Sequence, residues 1–141
     1  RDERIKRLAG KMDRVLVDAP CTGLGTLRRN PDLKWRQSPA SVAELVTKQQ
    51  AILQSAARLV KPGGRLVYAT CSLLTDENEA IAAAFGSQHP GFAPLPVADL
   101  LTGLKLADAA ALCTPDGAFL RLWPHRHGTD GFFAAVWQRA G

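Results

Sequence analysis

Two short apolar runs, each ending in a cysteine-bearing turn and separated by one amphipathic stretch, constrain this chain more than any other feature. The first, Val15-Leu16-Val17, runs into Asp18-Ala19-Pro20-Cys21-Thr22-Gly23. The second, Arg65 to Thr70, ends in Tyr68-Ala69-Thr70-Cys71-Ser72. Short, branched, apolar segments suit strands buried on both faces of a parallel sheet. Between them, Val42, Leu45, Val46, Gln49, Ile52, Leu53, Ala56, Leu59 and Val60 follow three- and four-residue spacing, one helical stripe with a single polar interruption. Ser38 or Ser41 is placed to cap this helix, Pro39 suits its first turn, and Lys61-Pro62-Gly63-Gly64 is expected to stop it. Strand, helix, strand predicts a right-handed crossover, a parallel pair and so an α/β fold.

The flanks are less periodic. Residues 1–11 are charged, a helix end or a frayed terminus. Residues 19–37 hold Pro20, Gly23, Gly25 and Pro31 and form a loop well beyond the usual connection of about 2–6 residues. Thr75 or Asp76 is expected to cap a helix carrying Ala80, Ile81, Ala84 and Phe85. Residues 87–117 read as irregular, with a helical turn or two between Leu100 and Leu112. Phe119 to Trp123 and Phe132 to Trp137 read as two strands joined by His125 to Gly131, a terminal antiparallel hairpin.

In open α/β sheets ligands bind beyond the carboxyl ends of the strands. If the two strands are neighbours, about 4.8 Å apart, Cys21 and Cys71 face one crevice. Buried apolar cysteines are common, but two at equivalent strand ends favour a function. Two thiols and a carboxylate there suit covalent chemistry on an electron-poor ring. Cys71, ahead of the expected helix N-terminus, is preferred as nucleophile, because that end of a helix favours a thiolate. Asp18 could bind the ring, bind a cofactor or cap a loop. Cys113 reads as structural and His89 as a surface residue. His125 and His127 are plain turn residues or line the crevice.

Bulk composition narrows the class. A chain of 141 residues is one domain or a piece of one. Its net charge of +5 permits a polyanionic partner without requiring one. Arg28, Arg29, Lys34 and Arg36 cluster beside Trp35 directly after the Cys21 motif, which favours RNA contact over a merely solvated loop. Three cysteines without CxxC or zinc spacing predict neither a disulfide framework nor a metal site, and a reducing cytoplasm. No apolar run approaches the roughly 18 residues of a membrane span, so no membrane partner is expected. The chain begins at Arg1, with no glycine-rich loop ahead of the cysteine motifs, and reads as the C-terminal part of something larger.

Taken together, these motifs resemble the RNA cytosine carbon-5 methyltransferases of the Sun family, the ribosomal RNA small subunit methyltransferase B-like proteins. Asp13-Arg14-Val15-Leu16-Val17-Asp18-Ala19-Pro20-Cys21 is similar to the family's motif IV, and Gly25 to Arg29 with Asn30-Pro31-Asp32-Leu33-Lys34-Trp35 to its trailing loop. Lys61 to Gly64, Tyr68 to Leu73 and Glu77-Asn78-Glu79 are similar to the motif VI region, and Pro124 to Phe133 to the terminal signature. The resemblance implies that residues 1–141 are the C-terminal half of a Rossmann-like class I methyltransferase domain, motif IV onward, lacking the N-terminal cofactor-binding half. It implies Cys71 as nucleophile, Cys21 as the cysteine that assists breakdown of the covalent adduct, and Asp18 as the acid beside cofactor and base. Asp18, Ala19 and Pro20 would form one wall of an incomplete S-adenosylmethionine site, so this chain alone is expected to bind the cofactor weakly or not at all and to be inactive. Arg28, Arg29, Lys34 and Arg36 would hold RNA, ribosomal RNA ahead of tRNA. The first strand would be an exposed edge open to dimerisation.

Two other classes compete. A non-catalytic RNA-binding module with the same fold has no need of two thiols at strand ends. A thiol redox protein is disfavoured by the lack of CxxC and by the long sequence gap between Cys21 and Cys71, which offers no local resolving cysteine.

Overall fold

The computed structural model describes residues 3–141. Helix α1 (Glu3–Lys6) leads into strand β1 (Met12–Asp18). A long loop containing the 3-10 turn Leu24–Thr26 and the short helix α2 (Leu33–Arg36) follows, and then α3 (Pro39–Ala57). Strand β2 (Val60–Thr70) is followed by the 3-10 turn Thr75–Glu77 and α4 (Glu79–Gln88). The remainder comprises β3 (Phe92–Leu95), α5 (Val97–Gly103), the 3-10 turn Ala109–Leu112, β4 (Leu120–Leu122), α6 (Pro124–His127) and β5 (Phe132–Arg139).

One five-stranded sheet has the order β1-β2-β5-β3, with β4 pairing the free stretch of β5 beside β3. β1 and β2 are parallel, as the strand–helix–strand reading requires, and Asp18 lies opposite Ala69. β5 is antiparallel to β2, β3 and β4. The expected terminal hairpin is therefore present as β4 and β5, with Leu120 opposite Ala134 and Leu122 opposite Phe132. The α/β expectation holds, and β1 occupies the sheet edge.

The core is built from alternate strand positions and the apolar stripes of two helices. Leu66, Tyr68, Phe133, Ala135 and Trp137 from the sheet meet Leu53, Ala56 and Ala57 of α3 and Ile81, Ala82 and Phe85 of α4. Leu16, which points the other way from Val17 by the two-residue strand period, is 69% exposed. Ser38 caps α3: its hydroxyl accepts from Ser41 N–H, and Ser41 Oγ accepts from Ser38 N–H, a reciprocal pair that satisfies two orphan donors.

Four sequence expectations are corrected. α3 stops at Ala57 rather than at Lys61–Gly64, because Val60 already pairs with Met12. Pro62-Gly63-Gly64 instead sit inside the span of β2 at a register shift, with Gly63 at φ 80°. Neither Thr75 nor Asp76 caps α4, which starts after Asn78 without a side-chain cap. Residues 87–117 contain β3 and α5, whose periods are too short to stand out. His89 is half-buried, stacked on Phe85 at 4.2 Å with its Nδ1 3.1 Å from the Phe85 carbonyl.

Candidate active site

The carboxyl ends of β1 and β2 bring Cys21 and Cys71 together: their Sγ atoms are 3.4 Å apart, and both thiols are free and partly exposed. The parallel register carries the two chains out of the sheet side by side, and Ala19 N–H still donates to Ala69 O at 2.9 Å beyond the last paired residue of β1. The long sequence gap is therefore no argument against a thiol pair, because the fold makes each sulfur the other's neighbour.

A glycine clamp fixes the loops beyond the sulfurs. Gly25 N–H donates to Cys71 O at 2.8 Å, and Gly131 N–H donates to Gly25 O at 2.7 Å. A Cβ on Gly25 would lie 2.5 Å from both Cys71 O and Gly131 O, so only glycine permits this three-way approach. Arg28 Nη1 donates to Gly128 O at 2.9 Å, and Arg29 grips both oxygens of Asp130. The Asp130 carboxyl is held below its usual value by the Arg29 hydrogen bond.

Beneath the thiols lies a buried polar network that sequence reasoning did not single out. Glu77 and Asn78 are fully buried. Glu77 accepts from Thr22 N–H (2.8 Å), the Thr22 hydroxyl (2.8 Å), Gln49 Nε2 (3.1 Å) and the Ser72 hydroxyl. Tyr68 OH donates to the Glu77 carbonyl at 2.7 Å. Asn78 accepts from the Thr70 hydroxyl and donates to Ser72 O at 2.9 Å. Acidic and amide residues in a Glu-Asn-Glu run give no sequence signal of burial, since most such runs are solvated.

The two sulfurs are not equivalent. Burial, then the hydrogen bond to Cys71, then the charge of Cys71 push the Cys21 thiol up to about 12. Cys21 is therefore held towards its neutral, protonated form. The expectation that a helix N-terminus activates Cys71 is not met in its simple form. The 3-10 turn begins four residues later at Thr75 and α4 at Glu79, whereas a helix end acts only within about a turn.

Other expected site residues fall where the loop places them. Asp18 ends β1 with its side chain exposed and has no partner among the described residues; Ala19 is buried and Pro20 exposed. Lys34 lies over the Trp35 ring at 5.0 Å, Trp35 is 81% exposed, and Arg36 pairs with Asp32. Arg29 and Arg36 are thus already in ion pairs, while Lys34 and Trp35 face outward. His127 is structural: Nδ1 accepts from Trp123 N–H, which leaves Nε2 to donate to Ala111 O. His125 is exposed beside Trp123. Cys113 is buried in a bridge to Leu120, apart from the thiol pair. Arg121, also unforeseen, is buried against Trp123 and Phe133 and paired with Glu79. Among the described residues no cluster of His, Cys, Asp and Glu could hold a metal, and no helix is long and apolar enough to cross a membrane.

The family profile described as 16S rRNA methyltransferase RsmB/F matches residues 2–138. A putative methyltransferase of Mycobacterium tuberculosis is 44% identical over 138 residues, 98% of this chain and 29% of its own length. The probable ribosomal RNA small subunit methyltransferase B of Bacillus subtilis is 42% identical over 131 residues, 93% of this chain and 28% of its own. The crystal structure of NSun6 from Pyrococcus horikoshii with an S-adenosylmethionine analogue superposes with a TM-score of 0.73 at 26% identity, covering 98% of this chain and 33% of that one. The chain thus spans about a third or less of each of these relatives.

Proposed function

Since the chain belongs to the 16S rRNA methyltransferase RsmB/F family of Sun-type RNA methyltransferases, we propose that it carries the two catalytic cysteines of an enzyme that methylates carbon-5 of cytosine in RNA. The observation that carries this reading is the 3.4 Å approach of Cys21 and Cys71 at the carboxyl ends of adjacent parallel strands. Ribosomal RNA is the substrate that the relatives' names favour.

Carbon-5 of cytosine is a poor nucleophile. Addition of the Cys71 thiolate to carbon-6 pushes an electron pair towards carbon-5, which can then take a methyl group; covalent catalysis splits one hard step into two. S-adenosylmethionine, when bound, supplies that methyl group. Asp18, Ala19 and Pro20 fit one wall of its site, since Asp18 offers an unpartnered carboxylate at the open edge of the sheet. The target base must leave its stack to reach the crevice, and the basic residues around Trp35 hold the flanking strand.

Cys21 changes character as the reaction proceeds. While Cys71 is free, its charge and hydrogen bond help to keep the Cys21 proton in place. Once Cys71 Sγ is bonded to carbon-6 it carries no charge, and of those three influences only burial still opposes ionisation of Cys21. Cys21 then releases its proton to solvent and takes the proton of carbon-5. The carbon-5–hydrogen pair re-forms the ring double bond, and the carbon-6–sulfur pair leaves with Cys71 as thiolate.

The test uses full-length protein with methyl-labelled S-adenosylmethionine and unmethylated RNA. Label in 5-methylcytidine is expected, lost in Cys71→Ser, with a stable RNA–protein adduct in Cys21→Ser. RNA binding without label would leave a non-catalytic binding module. Label in tRNA alone would change the substrate and not the chemistry.

A further inference from the structure

We infer that Glu77 is a positioning residue whose task is to hold Cys21, and not Cys71, in place, so that it governs release of the methylated RNA rather than attack on it. This rests on the cysteine chemistry proposed above.

Glu77 is a single buried carboxylate that ties together the residues immediately following each cysteine. Its two oxygens take up Thr22 N–H, Thr22 Oγ1, Ser72 Oγ and Gln49 Nε2. A buried carboxylate persists only when its acceptor capacity is filled, and this one accepts four bonds. Gln49 extends the same clamp to Pro20 O at 2.9 Å, on the other side of Cys21.

The two cysteines depend on this clamp unequally. Cys71 leaves β2, an interior strand paired on both sides, and Thr70 is still opposite Phe133. Its flanks have anchors that do not involve the Glu77 carboxylate: Gly25 N–H to Cys71 O, Ser72 N–H to Thr70 Oγ1 at 3.1 Å, and Asn78 Nδ2 to Ser72 O. Cys21 leaves the edge strand. Beyond Ala19, its neighbours are held by Glu77 through Thr22 and by Gln49 on Pro20 O. The bonds to Thr22 that do not involve the Glu77 carboxylate are longer: Gln37 Nε2 to Thr22 O at 3.2 Å, Thr22 Oγ1 with Ser72 Oγ at 3.3 Å, and Leu24 N–H to Thr22 Oγ1 at 3.4 Å. Removing the carboxylate therefore frees the Cys21 side first. The step that needs Cys21 is breakdown of the adduct, and the step that needs only Cys71 is its formation.

The consequence is a phenotype resembling loss of Cys21. In full-length protein, Glu77→Ala is expected to accumulate the RNA adduct and to lose multiple turnover by about a hundredfold, the scale of a misplacement near 1 Å. A single round of methyl transfer stays within about threefold, a change near 0.6 kcal/mol. Glu77→Gln should restore turnover, because its oxygen keeps the bonds to Thr22 N–H and Gln49 while its amide donates to the Thr22 or Ser72 hydroxyl. Thr22→Val removes one arm of the clamp and should accumulate adduct to a lesser degree; it decides the matter if Glu77→Ala does not fold. A folded variant that forms no adduct and transfers no methyl even once would overturn the inference, as would wild-type turnover in both Glu77→Ala and Thr22→Val. Wild type and Cys21→Ser run alongside separate the two readings. If they make no 5-methylcytidine and no adduct, the cysteine chemistry itself fails. If they behave as proposed and the Glu77 and Thr22 variants do not, only the positioning role fails.

Discussion

Cys21 and Cys71 approach to 3.4 Å between sulfurs although neither is disulfide-bonded, and the pair is asymmetric: Cys21 is the one driven towards the neutral thiol. Proximity of this kind makes each group's protonation depend on the other's state.

This asymmetry sets a labelling order. Burial and the neighbouring Cys71 raise the Cys21 thiol, so little of it is the nucleophilic thiolate near neutral pH. Iodoacetamide is therefore expected to mark Cys71 well before Cys21, read by peptide mass spectrometry over time. Equal rates at the two positions would contradict the assignment.

Alkaline stability follows with a definite sign. Cys21 and Tyr68 are both raised in the fold, chiefly by burial, so between the unfolded and folded values the native state binds more protons than the unfolded chain. Stability is thus fully present below about pH 9 and falls as pH rises towards 12. Thermal melts across that range should show a shallower decline for Cys21→Ser than for wild type.

Glycine substitutions should act in opposite directions at two positions. Gly25→Ala places a Cβ 2.5 Å from two backbone oxygens and is expected to destabilise by about 1–3 kcal/mol or more. Gly86, inside α4, has nothing within 4 Å of the same added atom, so Gly86→Ala should stabilise by about 0.5–1 kcal/mol through helix propensity. Denaturant midpoints of the two variants, compared with wild type, check both.

RNA affinity should report which cations meet phosphate. Lys34→Ala, next to the exposed Trp35, is expected to weaken binding and lower the log–log salt slope by about 0.7–1. Arg36→Ala should have less effect, because Arg36 is already paired with Asp32. An unchanged slope for Lys34→Ala would remove it from the RNA surface.

The parallel strand pair, the capped helix and the terminal hairpin were legible because each rests on a local pattern: branched runs, the Ser38-Pro39 start, two apolar stretches around a turn. The meeting of Cys21 with Cys71 was legible as a consequence of strand adjacency. The Glu77 network was not, because its partners Thr22, Gln49 and Ser72 are ordinary polar residues spread along the chain, and only tertiary closure buries them. The role of Pro62-Gly63-Gly64 was misread for a related reason. A helix stop and a strand irregularity use the same residues, and the pairing of Val60 with Met12 decides between them.

The segment from Ala19 to Gln37 is long for a connection, yet it is pinned at intervals: Gln37 to Thr22 O, Gly25 to Cys71 and Gly131, Arg28 to Gly128, Arg29 to Asp130. Each tether divides one wide excursion into short closed spans, and the entropy of closing a span grows only with the logarithm of its length. Much of the cost of ordering this loop is therefore met when the chain folds, so the RNA strand proposed to bind here would encounter a surface already shaped to receive it.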